Sequence, residues 1–320
     1  MSDALMEVAS LSKVFQGRRG ADLHAVADLD LSVYAGEALG LVGESGCGKS
    51  TTARLLARLL SATSGSIKFE GRDISKIGRR AMRPLRRDVQ MIFQDPYSSL
   101  NPRRTVGEII RTPLRILRPE LDERSAVAQI IERVGLAPEQ VDRYPHQFSG
   151  GQAQRIGIAR ALVTRPRLLI ADEPVSALDV SVQAQIINMM SELQREFGLS
   201  YVFIAHDLAV VRQLCTRIAV MYLGRIIEIG ARESVYQAPA HPYTSALLSA
   251  APLPHPATER ARQRVVLQGD PPSPAAPPPG CAFSPRCFKA QGRCFTDRPR
   301  LEPAGGRLVA CHYPSTGAGS

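Results

Sequence analysis

Three features of this 320-residue sequence predict an α/β fold. Short apolar runs are each followed by helical periodicity: ALGLV then STTARLLARLL, RLLIA then SVQAQIINMMSELQREF, and YVFIA then LAVVRQLC. That alternation places parallel strands under helices. Tryptophan is absent and aromatic residues make up 5% of the chain, so the core is built from Leu, Ile, Val and Ala, as buried parallel strands require. All-β sandwiches are disfavoured.

Taken in order, Leu5 to Ser10 and Ala25 to Val33 alternate apolar and polar residues, and SIKFE at 66 to 70 does the same before Gly71. These half-buried strands predict an antiparallel β subdomain. Residues 104 to 165 then hold three helical patterns with no strand between them, TVGEIIRTPLRIL, ERSAVAQIIERVG and GGQAQRIGIARALV. A helical subdomain, spanning about 95 to 165, is expected as an insertion in the sheet. Residues 271 to 279 contain six prolines, which cannot join a helix or central strand, and a linker is placed there. The expected division is a first unit over 1 to 260 and an extension over 261 to 320 that ends in a small Cys-rich tail.

No run of about eighteen apolar residues appears, so no membrane span is predicted. The N-terminal MSDALMEVAS lacks the basic and apolar regions of a secretory signal, and a cytoplasmic protein is expected. Forty basic against thirty acidic residues give +10, which suits nucleic acid, an anionic membrane or a nucleotide equally.

Gly43-Glu44-Ser45-Gly46-Cys47-Gly48-Lys49-Ser50-Thr51 fits the phosphate-loop pattern, directly after ALGLV and opening an apolar-periodic helix. Its glycines let backbone N–H groups approach phosphate oxygens, the helix N-terminus adds positive potential, and Lys49 supplies charge toward the β and γ phosphates. Ser50 is the expected Mg²⁺ ligand. The carboxylate needed for hydrolysis is expected at a buried strand end, where RLLIA is followed by Asp172 and Glu173. Asp172 is read as a Mg²⁺ ligand through water, and Glu173 as the group that polarises the attacking water. The α/β prediction thereby becomes a phosphate-loop ATPase core using ATP and Mg²⁺.

Ser149-Gly150-Gly151-Gln152, at the start of the helix AQRIGIARALV, resembles the signature of ATP-binding cassette ATPases. Gln94 in FQDP, Ser176-Ala177-Leu178-Asp179 after Glu173, and His206 after YVFIA stand where that family has its other marks. The resemblance implies a head-to-tail dimer in which each signature caps the γ-phosphate on the other subunit's phosphate loop. It implies that Gln94 and His206 join Glu173 in catalysis, that Gln94 joins Ser50 and Asp172 around Mg²⁺, and that Phe15 in LSKVFQG stacks on adenine. Ala153 is one departure, since the family most often has Arg there.

FQDPYSSLNPRRTVGEI at 93 to 109, HPYTSALLSA at 241 to 250 and the cysteine-rich end are similar to the oligopeptide and dipeptide importer branch, which includes nickel and glutathione importers. PYSSLNP is more like the second of the two ATPase subunits of such importers. The resemblance implies an ATPase that powers peptide uptake from the cytoplasmic face of the inner membrane. Its implied partners are a sister ATPase subunit in a heterodimer, two membrane permease subunits and an external solute-binding protein. The groove near Gln94 to Arg103 is the implied seat for a cytoplasmic helix of the permease. A nucleic-acid cassette ATPase is the rival reading. Such proteins carry long coiled coils or two cassettes in one chain, and this sequence has neither.

Cys281, Cys287, Cys294 and Cys311 crowd into the last forty residues, with five, six and sixteen residues between them. The spacing is too wide for paired zinc knuckles. In a reduced cytoplasm an iron–sulfur cluster, a structural zinc and four unconnected thiols all remain open, as does a redox-sensing role for the tail. Some members of the resembled branch carry a [4Fe–4S] cluster on such a tail, so the resemblance implies these four cysteines as its ligands, shielded by Phe283, Pro285, Arg286 and Pro299.

Overall fold

The computed structural model describes residues 4–17, 22–250, 265 and 267–315. The expected boundary at 260/261 lies outside the described residues. Among the described residues twelve strands are formed: β1 (Ala4–Phe15), β2 (Leu23–Tyr34), β3 (Ala38–Val42), β4 (Ser64–Phe69), β5 (Arg72–Asp73), β6 (Val89–Ile92), β7 (Leu168–Asp172), β8 (Ser200–Ala205), β9 (Arg217–Tyr222), β10 (Arg225–Ala231), β11 (Glu302–Ala304) and β12 (Arg307–Val309). They make two sheets. One has the order β2-β1-β4-β5 and is antiparallel. The other has the order β11-β12-β10-β9-β3-β8-β7-β6, in which β9 to β6 run parallel and the last three additions are antiparallel.

Every residue of β3, β7 and β8 is buried, the expected state of parallel strands covered on both faces. Side-chain alternation divides them between two cores. Leu39, Leu41, Leu168, Ile170, Val202 and Ile204 face the antiparallel sheet. Ala38, Val42, Leu169, Ala171, Tyr201 and Phe203 face the helices.

Helix α1 (Lys49–Leu56) follows β3, and α2 (Arg79–Met82) precedes β6. Between β6 and β7 the chain forms α3 (Pro96–Ser99), α4 (Val106–Leu117), α5 (Glu123–Arg133) and α6 (Gly150–Leu162) with no strand among them. Helix α4 starts on a reciprocal cap between Thr105 and Glu108 and buries Val106, Ile109, Ile110 and Leu114. Helix α7 (Val180–Phe197) ends on Gly198, whose φ of 63° reverses the chain into β8. Helices α8 (Leu208–Leu214), α9 (Arg232–Gln237) and α10 (Pro242–Ala250) complete the scaffold. Among the described residues no helix is long and apolar enough to cross a membrane.

The C-terminal segment is not suspended from a free tether. The Pro274 carbonyl accepts from the His24 N–H at 3.3 Å, and β11 and β12 extend the main sheet through β10. The two-residue turns Leu223-Gly224 and Gly305-Gly306 have positive φ at both positions, the geometry of a tight antiparallel hairpin.

Candidate functional site: a phosphate loop beside a carboxylate pair

Residues 43–48 bridge β3 and α1. A Cβ on Gly48 would lie 2.1 Å from the Ala25 carbonyl oxygen, and one on Gly43 would lie 2.3 Å from that of Met221. Main chain therefore packs where side chains would otherwise stand. Lys49 is almost fully buried, and its Nζ donates to the carbonyls of Gly43 (2.8 Å) and Glu44 (2.9 Å). The ammonium thus stands inside the loop with only neutral acceptors, ready for an anion. Ser45 and Gly46 are exposed, and Thr51 lies in the first turn of α1 beside Ser50. Burial raises the Cys47 thiol above its usual range, so it is a packing residue of the loop.

Ser50 Oγ donates to Asp172 Oδ1 at 2.9 Å. Asp172 ends β7, is 3% exposed, and is pushed up from the usual carboxylate range by burial, against which the Ser50 hydrogen bond acts. A buried carboxylate and a hydroxyl in contact, beside a buried lysine, form a donor set that fits a hard cation with oxygen ligands. When bound, Mg²⁺ neutralises charge on the β and γ phosphates.

Glu173 has φ of 48°, an uncommon left-handed conformation for a non-glycine residue. Its N–H donates to the Ile204 carbonyl at 3.0 Å, which fixes the residue at the end of two adjacent strands. Its Oε2 accepts from Gln94 Nε2 at 3.0 Å, and His206 Nδ1 lies 3.7 Å away. Gln94, Glu173 and His206 are therefore one group, assembled from the ends of β6, β7 and β8. Gln94 donates to Glu173 through Nε2, which leaves its amide oxygen, the atom that would face Mg²⁺, outside that bond.

Ser149 and Gln152 stand apart from this group. The Ser149 N–H donates to Gln152 Oε1 at 3.1 Å and the Gln152 N–H to Ser149 Oγ at 3.4 Å, so their bonds close within the start of α6. A Cβ on Gly150 would meet Leu178 Cδ2 at an ordinary 3.5 Å, whereas one on Gly151 would be 2.5 Å from Val182 Cγ1. The second glycine thus serves the packing of α6 on α7 as well as leaving the helix end bare. Phe15, at the end of β1, is 37% exposed, and Lys13 Nζ lies 5.0 Å from its ring centre.

A cavity of about 430 Å³ opens between β6 and the inserted helices, lined by Met91, Phe93, Asn101, Arg104, Ile109 and Arg160 among others. It lies at the 94 to 103 segment singled out in the sequence.

Cys281, Cys287, Cys294 and Cys311 line one small cavity with His241 and Phe283. Its volume is about 10 Å³, around the least that a single water occupies. Burial raises the thiols of Cys281, Cys287 and Cys311, that of Cys311 to about 11, which favours S–H over thiolate. Among the described residues no group of three or more His, Cys, Asp or Glu is arranged to hold a metal ion. The four cysteines meet around a cavity of about 10 Å³, and no donor group arranged for a metal stands there among the described residues, so the expected [4Fe–4S] cluster is not supported. Phe283, which lines this cavity, also packs on Tyr222 and Tyr243, and Arg286 reaches Glu44, contacts that sequence spacing did not signal.

A phosphate loop, a buried Ser–Asp pair and an oriented glutamate on a parallel sheet define an ATP hydrolase of the cassette class. The chain belongs to the ABC transporter family: residues 26–176 match the model described as ABC transporter, and 227–294 match the oligopeptide/dipeptide transporter C-terminal region. It is 51% identical to the probable peptide ABC transporter ATP-binding protein y4tS of Sinorhizobium fredii, over 99% of this chain and 92% of that one. It is 50% identical to the oligopeptide transport ATP-binding protein OppF of Salmonella typhimurium, over 96% and 95% of the two chains. With the di/tripeptide transport ATP-binding protein DppF of Pseudomonas aeruginosa the identity is 46%, over 97% and 98%. Among solved structures, the dimeric bacterial ABC transporter cassette MJ0796 superposes with a TM-score of 0.66 at 26% identity, covering 71% of this chain and 98% of that one. CbiO1 of Clostridium perfringens gives 0.65 at 29%, covering 74% and 92%.

Proposed function

We propose that this chain is the ATP-hydrolysing subunit of an importer for di- or oligopeptides, acting peripherally at the cytoplasmic face of the inner membrane. The observation that carries the catalytic part is the Gln94–Glu173–His206 group next to the Ser50–Asp172 pair. Lys49 binds the β and γ phosphates, and the N–H groups of the loop other than those of Glu44 and Cys47 surround them. Ser50 and Asp172 would hold Mg²⁺, with the amide oxygen of Gln94 joining them while its Nε2 keeps the bond to Glu173. Glu173 accepts a hydrogen bond from the attacking water and aligns it with the γ-phosphorus. His206 contacts the γ-phosphate, and Phe15 stacks on adenine. Ser149 to Gln152 act on the nucleotide of a second ATPase subunit, a sister chain in a heterodimer.

The peptide reading is supported by the matched C-terminal region and by relatives named for peptide transport. The permease pair docks at the 430 Å³ cavity, and an external binding protein supplies the solute. Nickel or glutathione is the second reading for the solute. The test is reconstitution with permease, sister ATPase and binding protein in vesicles. ATP-dependent accumulation of labelled peptides is expected, and stimulation by glutathione or nickel alone would reassign the solute.

A further inference from the structure

Glu44, the second residue of the phosphate loop, is held from two sides by the C-terminal part of the chain. Arg286 Nη1 donates to Glu44 Oε2 at 2.9 Å and Nη2 to Oε1 at 3.2 Å, a forked charge-assisted pair. The Glu44 N–H donates to Tyr243 Oη at 2.9 Å. The Glu44 carbonyl in turn accepts from Lys49 Nζ. An unbroken path of bonds therefore runs from Arg286 through Glu44 to the phosphate-binding lysine.

The Arg286 side chain is built into place. It sits on a single 3₁₀ turn, Ser284–Arg286, closed by bonds from the Ser284 N–H to the Cys281 carbonyl and from the Arg286 N–H to the Phe283 carbonyl. Phe283 is 1% exposed and anchors the turn against Tyr222 and Tyr243, with ring centres 5.4 Å away in each case. Gly280 lets the turn approach the next segment, since a Cβ there would lie 2.4 Å from the Cys294 carbonyl oxygen. The guanidinium side chain is 8% exposed, and its Nε is buried without a partner. A buried unpaired donor is costly, so the forked bond to Glu44 must offset that cost.

We infer that Arg286 is a positioning residue for ATP binding: from the four-cysteine turn it fixes Glu44, and through Glu44 the carbonyl cradle of Lys49. This rests on reading residues 43–51 as the ATP site. A purely structural ion pair would alter stability and leave the affinity of folded protein unchanged. A positioning role weakens ATP binding in the folded state.

The test uses the full chain, titrated calorimetrically with ATP and Mg²⁺, and its hydrolysis rate when assembled with permease and sister ATPase. Arg286→Met and Glu44→Gln are each expected to raise the Kd for ATP about tenfold, within the usual range for directly coupled residues. For Arg286→Met, the rate at saturating ATP should change by less than about threefold, because this side chain lies outside residues 43–51 and does not touch the attacking water. The double variant should be no weaker than either single one. Folded Arg286→Met with wild-type affinity, or losses that multiply in the double variant, would overturn the inference. Should Arg286→Met fail to fold, Glu44→Gln reads the same bond from its exposed end, and wild-type affinity there overturns it too. Lys49→Ala separates the two levels: if it binds ATP normally, the site reading has failed, and if it alone abolishes binding, only the role of Arg286 has.

Discussion

Gln94 and Glu173 are 79 residues apart in sequence, and the amide of one donates to the carboxylate of the other at 3.0 Å. Gln94 lies where the chain leaves β6 for the inserted helices, while Glu173 is fixed to the sheet through Ile204. Movement of the helices against the sheet would therefore act on the orientation of the carboxylate proposed to orient water.

Replacing that carboxylate tests its role most simply. Glu173→Gln keeps the shape of the side chain and removes the charge that orients water. Phosphate release should fall about a hundredfold or more while ATP still binds, since loss of a general base costs 10² to 10⁴. Hydrolysis at the wild-type rate would remove Glu173 from the mechanism.

Binding and dimer closure should fail independently. Lys49→Ala removes the buried ammonium and should abolish nucleotide binding in a titration. Ser149→Arg leaves residues 43–51 untouched, and the monomer should bind ATP normally yet show no ATP-dependent dimer on a sizing column. Closure by that variant would disprove the shared site.

Two glycines of the loop should respond very differently to one methyl group. Gly48→Ala combines φ of 107° with a Cβ 2.1 Å from the Ala25 carbonyl oxygen, and neither main-chain segment can yield. It is expected to lose several kcal/mol of stability or fail to fold. Gly46→Ala meets nothing within 4 Å and bears only the cost of its left-handed backbone, about 1–2 kcal/mol. Urea denaturation of the two variants measures the contrast.

His241 provides a pH dependence. It is fully buried, and burial lowers its pKa from 6.5 to about 3, so it folds neutral, with Nδ1 accepting from the Tyr243 N–H at 3.0 Å. The unfolded chain binds the proton more tightly. Its contribution is thus complete above pH 6.5 and is lost as pH falls toward 3, by at most roughly 1.4 kcal/mol per pH unit. His241→Asn keeps an acceptor but cannot titrate, so its stability should fall less between pH 6.5 and 5 than that of the parent. Parallel curves would show that His241 is not the titrating group.

The elements that sequence exposed best are those whose apolar pattern is local. β3, β7 and β8 read as short apolar runs because they are buried on both faces, and α4 to α6 carry their own periodicity and caps. Glu173 and His206, proposed as catalytic, were legible because each follows one of those runs, whereas Gln94 was placed by the family resemblance alone. The tail was not. β11 and β12 are three residues each, and the contact between Arg286 and Glu44 spans 242 positions with no spacing rule to announce it. Four cysteines drew attention to a metal, while the neighbouring arginine and phenylalanine make the contacts that reach the phosphate loop.

The short strand β12 also acts as a shutter. It covers β10 by pairing Val309 with Glu228 and Leu308 with Ile229. A chain cut before residue 300 would bare that row of N–H and C=O groups beside Ile227 and Ile229, a ready template for another molecule's backbone. Loss of residues 300 to 320 would then leave a cassette prone to self-association along this edge, well before any nucleotide contact was touched.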